Sequence, residues 1–207
     1  MVKSTECSAK AEKIKSIIEV AQRLFGIYGI EKVSMHEIAD ELNLSKASLY
    51  YYFPDKESLY IAVIEKEQEE FLSKMVEQTG NIADPSEFLK EYAVRRLSFF
   101  RTLLNLSRLR SEYFSNLKPL FSEILENFRE KERNIISGIL EKGIKEGTFI
   151  SLDIFTTANL YLDLLRGLRI ETINSKNLFY IEQEEYDKLM KKTVEFTEIF
   201  IKGLRLI

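Results

Sequence analysis

From Ile14 the apolar positions are Ile14, Ile17, Ile18, Ala21, Leu24, Phe25 and Tyr28, a three-and-four spacing that places them on one face of an α-helix. Gly29 follows the last of them, where a left-handed residue closes a helix, so the first helix ends near Tyr28. Ser34 and Glu37 form an S-x-x-E capping box, in which each side chain satisfies the other's backbone N–H. A second helix starts there, with the stripe Met35, Ile38, Ala39 and Leu42. Next come Asn43, which tolerates a left-handed backbone, and Ser45, which can cap a third helix. That helix runs from Ser45 to about Tyr52, before Phe53-Pro54-Asp55 breaks it and Asp55 caps a fourth.

The fourth helix meets no breaker until Gly80 and, at about 1.5 Å per residue, spans on the order of 35 Å. Gly80 to Ala83 reads as a hinge. Asp84-Pro85-Ser86-Glu87 then offers a cap, a proline at the first helical position and an acidic third residue. Further helices are expected near 85–105, 107–115, 118–146, 152–173 and 185–204. The helix over 152–173 is apolar nearly all round, and the last carries an equally wide stripe through Leu189, Val194, Phe196, Phe200, Ile201 and Leu204. Both therefore need cover on more than one side. With no competing strand alternation, the fold class is all-α. Residues 1–54 form a first domain, helix four over about 55–79 connects, and residues 80–207 form a second.

Composition changes this picture little. A chain of 207 residues, 45% hydrophobic and 30% charged, is large enough to bury real cores. The longest stretch without a charge is the nine residues from Ile154 to Leu162, far short of the roughly 20 apolar residues of a membrane span. The first thirty residues lack an apolar signal region and Cys7 is the single cysteine, so a cytoplasmic location without internal disulfides is expected. A net charge of -3 does not announce a nucleic-acid binder. Residues 1–15, however, hold Lys3, Lys10, Lys13 and Lys15 against Glu6 and Glu12. Such a weakly basic arm either lies along phosphate or stays solvated as a tail.

A short helix, a tight turn and a second short helix, packed on a longer first helix, make a helix-turn-helix. The stretch VSMHEIADELNLSKASLYYYFPDKESLYIAVIE, Val33 to Glu65, resembles the DNA-binding domain of the TetR family of bacterial transcriptional regulators. The features that carry the likeness are the Ile38-Ala39 pair, Leu44-Ser45-Lys46, Leu49-Tyr50-Tyr51 with a further aromatic and Phe53, and Lys56-Glu57 with Leu59. The resemblance covers roughly residues 10 to 75; beyond that only the helical plan is similar. It implies a homodimer that binds a double-stranded operator and represses, with a small-molecule effector pocket in a C-terminal domain that also dimerises. It also implies that ligand binding releases the DNA; a switch in which helix four acts as a lever is then expected, a rotation of about 6° moving its far end by about 4 Å.

The residues bear this reading independently. At about 100° per residue, Leu49 and Phe53 lie about 40° apart and define the buried side of helix three, with Tyr51 opposite them. Ala47 also points outward, Ser48 lies on the adjoining flank, and Tyr50 and Tyr52 sit at about 80° on either side of the core direction. Small residues ahead of a tyrosine suit entry into a major groove about 12 Å wide. Ala47 can touch a thymine methyl, Ser48 can bond base edges or phosphate, Lys46 guanine or phosphate, and the Tyr50 and Tyr51 hydroxyls phosphate. Tyr50 and Tyr52 can equally bury their rings and leave their hydroxyls in water. The resemblance adds Ser34, Ser45, Tyr52 and Lys56 as backbone contacts. His36, the single histidine, has no neighbouring ligands in sequence, so no metal site is expected.

None of the nucleophile-elbow, phosphate-loop, dinucleotide or C-x-x-C patterns occurs, and His36-Glu37 lacks the second histidine of H-E-x-x-H. No enzymatic activity, catalytic residue or cofactor is expected. Of the 24 aromatic residues, 16 lie within 81–207, where they form either core or a ligand pocket. The helices that enclose the ligand in family members point to Phe99, Leu103, Tyr113, Phe121, Phe128 and Leu165. Arg95, Arg96, Arg101, Arg108 and Arg110 can receive an anionic ligand or form ordinary surface pairs. The helices over about 152–173 and 185–204 are the expected dimer interface, as a four-helix arrangement with their symmetry mates. Two rival readings remain: a DNA binder that takes no ligand or answers to another protein, and a small-molecule-binding protein or enzyme that needs no operator.

Overall fold

The structure, a computed structural model, describes residues 2–103, 105, 118–174 and 182–205, with side chains described except at 2–7, 118–121, 173 and 174. Among these residues there are eight α-helices and no strand. They are α1 (Val2–Tyr28), α2 (Met35–Glu41), α3 (Lys46–Tyr52), α4 (Lys56–Thr79), α5 (Pro85–Thr102), α6 (Lys118–Lys145), α7 (Ile154–Asn174) and α8 (Gln183–Leu204). The helix expected near 107–115 lies outside the described residues. Among the described residues no helix is long and apolar enough to cross a membrane.

Helix α1 begins at Val2, well ahead of the apolar stripe that opens at Ile14. Residues 2–13 contain Ala, Lys and Glu but no Gly or Pro, so once burial of Ile17 to Phe25 has established the helix, each further residue adds at little cost. An apolar stripe marks where a helix touches a core, and the helix itself can run on. Gly29 closes α1 with φ 84° and donates its N–H to Phe25 O at 2.8 Å.

The chain divides into two compact units, with the break inside α4 between Glu70 and Phe71; Leu103 and Asn105 belong with the first. The first unit packs α2 against both α1 and α3. Its core is Ile17, Ala21, Phe25, Ile38, Ala39, Leu49, Leu59, Val63 and Ile64. Beside that core, the buried Glu67 accepts hydrogen bonds from Asn105 Nδ2 at 2.7 Å and Gln22 Nε2 at 3.3 Å. Asn105 Nδ2 also donates to Gln22 O at 3.0 Å, and Lys66 Nζ donates to Gln22 Oε1 at 2.8 Å. A buried carboxylate needs such partners.

In the second unit α5 packs on α6 and α8, and α7 packs on the same two helices. Phe71 meets the rings of Phe99, Phe100 and Phe128 at 5.3–5.8 Å. Within this apolar interior sits Glu132, 1% exposed, held by Arg96 through Nε at 2.7 Å and Nη2 at 3.1 Å and by the Tyr92 hydroxyl at 2.7 Å. Burial alone would push this carboxyl up. The Arg96 guanidinium and the hydrogen bonds from Arg96 and Tyr92 outweigh that and hold it below its ordinary value. At the end of α6, Thr148 N–H and Phe149 N–H both return to Gly143 O, and the Phe149 ring lies where a Cβ on Gly143 would be.

Two measurements test this packing. Glu132→Ala leaves a buried guanidinium uncompensated and is expected to cost about 3–5 kcal/mol in urea unfolding. Because the folded-state value of Glu132 is lowered, its contribution is complete above the ordinary glutamate range of about 4.3 and is lost as pH falls through the lowered value, so Glu132→Gln should flatten the acid side of the stability profile. Gly143→Ala is expected to lower stability by about 1–3 kcal/mol in the same assay, since the new methyl meets the Phe149 ring rather than open space.

Candidate nucleic-acid interface

Each boundary of the α2–α3 pair has a local chemical cause. Ser34 is the N-cap of α2: its Oγ accepts from Glu37 N–H at 3.2 Å, while Glu37 Oε2 accepts from Ser34 N–H at 2.7 Å and from its hydroxyl at 2.8 Å. Those bonds hold the Glu37 carboxyl below the usual range, the backbone N–H of Ser34 contributing most. Asn43 takes φ 52°, which lets Leu44 N–H return to Ala39 O at 2.8 Å and Asn43 N–H to Asp40 O at 3.0 Å. Ser45 then caps α3, accepting from Ser48 N–H at 3.1 Å, with the two hydroxyls 2.8 Å apart.

Helix α3 is anchored by Leu49, fully buried, and by Phe53 at its C-cap, 9% exposed. Tyr51 stands opposite and is 73% exposed. Lys46, Ala47 and Tyr50 are also exposed, whereas Ser48 and Tyr52 are half-buried. The three consecutive tyrosines thus take three environments. Tyr51 and Tyr52 meet edge-on at 5.2 Å, and Lys46 Nζ lies 5.7 Å from the Tyr50 ring centroid.

Lys56 has a structural role that its position in sequence did not suggest. Its ammonium donates to Ile30 O at 2.8 Å and Val33 O at 3.2 Å, clasping the α1–α2 connection just ahead of the Ser34 cap. A second contact without a local signal comes from α1, where Lys10 Nζ lies 5.6 Å from the Tyr51 ring centroid. Only a helix running back beyond Ile14 brings it there. His36 is exposed, with Nδ1 3.4 Å from Asp40 Oδ1. Among the described residues no group of three or more His, Cys, Asp or Glu is placed to hold a metal ion.

Of the residues named for a ligand pocket, Phe128 and Leu165 are buried and Phe99 is half-buried, with Phe99 and Phe128 both against the Phe71 ring; Leu103 is buried. Tyr113 and the Phe121 side chain lie outside the described residues. The arginines have partners within the chain: Arg95 bonds Gln78 and Glu91, Arg96 bonds Glu132, and Arg101 bonds Gln183 and lies over Tyr186. Arg108 and Arg110 are outside the described residues. A further arginine, Arg169, is half-buried, 4.3 Å from the centre of the Phe100 ring, and is pushed down to about 9 by burial and the nearby Arg96 charge.

A family model described as bacterial regulatory proteins, tetR family, matches residues 17–63, the segment that builds this helix-turn-helix. A transcriptional regulator from Cytophaga hutchinsonii, known as a crystal structure, is 38% identical, with a TM-score of 0.82 over 94% of this chain and 99% of its own. The transcriptional regulator RutR of Escherichia coli K12 is 29% identical over 95% of this chain and 92% of its own length. A regulator from Saccharomonospora viridis, crystallised with choline, shares the fold at 23% identity, with a TM-score of 0.73 over 91% of this chain and 96% of its own. With a helix-turn-helix whose outer face is solvent-open, a matching family model and a full-length relative of the same fold, the chain belongs to the tetR family of bacterial regulatory proteins and is a DNA-binding transcriptional regulator.

Proposed function

We propose that the protein represses transcription by binding a pseudo-palindromic operator as a homodimer and is released by a small apolar or amphipathic ligand. The observation that carries the DNA reading is the exposed Tyr51 directly opposite the buried Leu49, with Lys46 and Ala47 on the open side of a capped, rigidly seated α3. In this role α3 enters the major groove. Ala47 and Ser48 face base edges, Lys46 takes guanine or phosphate, and Ser45, Tyr50, Tyr51 and Tyr52 hold the backbone, while Ser34 and Lys56, whose hydrogen bonds go to Glu37 and to the Ile30 and Val33 carbonyls, position α2 beneath them. A symmetric pair places two such helices about 34–36 Å apart.

The dimer reading is supported by apolar side chains left open on a single chain: Phe155, Leu160 and Leu164 on α7 and Ile199 on α8, the last 68% exposed. The ligand reading is supported by the aromatic interior of the second unit, where Phe99, Phe128 and Leu165 are the proposed lining. The choline complex of the Saccharomonospora viridis regulator shows that a neighbour of this fold takes a small molecule.

The test is fluorescence anisotropy with duplexes selected from a random-sequence library, titrated at several salt concentrations. Specific binding with a steep salt slope is expected; absence of any enriched sequence would overturn the reading. Lys46→Ala should cost about 1–3 kcal/mol with relaxed sequence preference if it reads guanine, or lower the salt slope by about 1 per subunit if it holds phosphate. Tyr51→Phe should weaken binding by roughly the net worth of a charge-assisted hydrogen bond, about 1.5–3 kcal/mol at most. For the dimer, Leu164→Glu with Ile199→Glu is expected to give monomers in sedimentation analysis and to lose operator binding while each unit stays folded.

A further inference from the structure

Helix α1 carries its core-facing side beyond the end of the core. At about 100° per residue, the buried Ile17, Ala21 and Leu24 lie within about 40° of the direction of Lys10, and Lys13 lies about 60° from it. Glu12, Lys15 and Glu19 point to the other side. Residues 8–12 are exposed and Ile17 is the first buried residue among the described side chains of the helix, so the two turns between Lys10 and Ile17 leave the packed interior. The stripe that is isoleucine inside the core has become lysine outside it.

What faces Lys10 is the recognition helix. Its Nζ lies 5.6 Å from the centroid of Tyr51, the most exposed of the three tyrosines. Lys46 stands over Tyr50 in the same way, at 5.7 Å. A cation over an exposed ring gains only about 0.5–1 kcal/mol, and the ammonium keeps N–H donors for an anion. Among the described side chains of this part of α1, both carboxylates, Glu12 and Glu19, lie on the side away from Lys10.

We propose that the amino-terminal turns of α1 form a second DNA-backbone contact, in which Lys10 holds a phosphate diester beside the one reached by Tyr51. This rests on the reading of α3 as the recognition helix. The occupant is a duplex because the lysine stands at the rim of the surface that faces the groove, and duplex phosphate is the anion that surface meets. The rigid connection to the core matters, since a lysine on a continuous helix arrives in one position whereas one on a solvated tail must be ordered first.

The experiment is a salt titration of a labelled, library-selected duplex with the wild type, Lys10→Gln, Lys10→Arg and Lys15→Gln. Lys15→Gln removes the same charge from the opposite side of α1. Lys10→Gln is expected to lower the slope of log K against log salt by about 0.9 per subunit and to weaken binding roughly tenfold per subunit near 0.1 M salt. Lys10→Arg should retain the slope and Lys15→Gln should leave it unchanged, with circular dichroism and melting the same for all four proteins. Equal effects of Lys10→Gln and Lys15→Gln would reduce the contribution to net charge and overturn the inference. So would an unchanged slope for Lys10→Gln alongside a clear loss for Lys46→Ala. If the wild type selects no duplex, the recognition-helix reading fails first and this inference falls with it.

Discussion

A helix of seven residues does not stay helical in water on its own, because the cost of nucleating the first turn is recovered only over a longer run. Helix α3 exists, and exists in one rotation, because Leu49 and Phe53 are buried against the rest of the first unit and Ser45 satisfies its first turn. Rotation about that anchor decides what the outer face presents. Turning α3 by a single residue would move every side chain about 100° and withdraw Tyr51 from the surface. The turn before it is equally constrained: Ala39 is fully buried and its carbonyl receives the Leu44 N–H, which ties the start of α3 back to α2.

The second unit is held in register by a different device. Tyr92 and Arg96, one turn apart on α5, address the same carboxylate, Glu132 of α6, through three hydrogen bonds. A slip of α5 along α6 would strand at least one charged group in an apolar interior, which costs more than any apolar contact it could gain. Buried pairs of this kind add little net stability over a hydrophobic substitute, and their effect is to penalise alternatives. The apolar residues left open on α7 and α8 have no comparable restraint within one chain.

What was legible in the sequence followed from local rules. The Ser34–Glu37 box, the left-handed Gly29 and Asn43, the Ser45 cap and the wheel that opposes Tyr51 to Leu49 each depend on residues within a few positions of one another. The same rules cannot see across the chain. Arg96 and Glu132 are 36 residues apart, Asn105 and Glu67 are 38 apart, and Lys56 reaches carbonyls 23 and 26 residues back. An arginine cluster in sequence therefore looked available, while Arg95, Arg96 and Arg101 had found partners on other helices. The start of α1 was hidden for another reason, since residues outside a core carry no apolar period even when they are helical.

The tyrosine run gains its meaning from the lysines beside it. A long side chain loses up to about 2 kcal/mol of rotamer freedom when it is fixed, and that loss opposes every exposed ion pair it makes. Lys10 and Lys46 each rest over a tyrosine ring, a weak attraction that narrows their range before any anion arrives. The rings are themselves stiff, with two torsions each, and Tyr51 is braced edge-on by Tyr52. Burying one side of Tyr52 thus steadies Tyr51, and Tyr51 steadies Lys10. A surface that is mostly aromatic ring becomes, through these contacts, a surface of positioned cations on a chain whose net charge is negative.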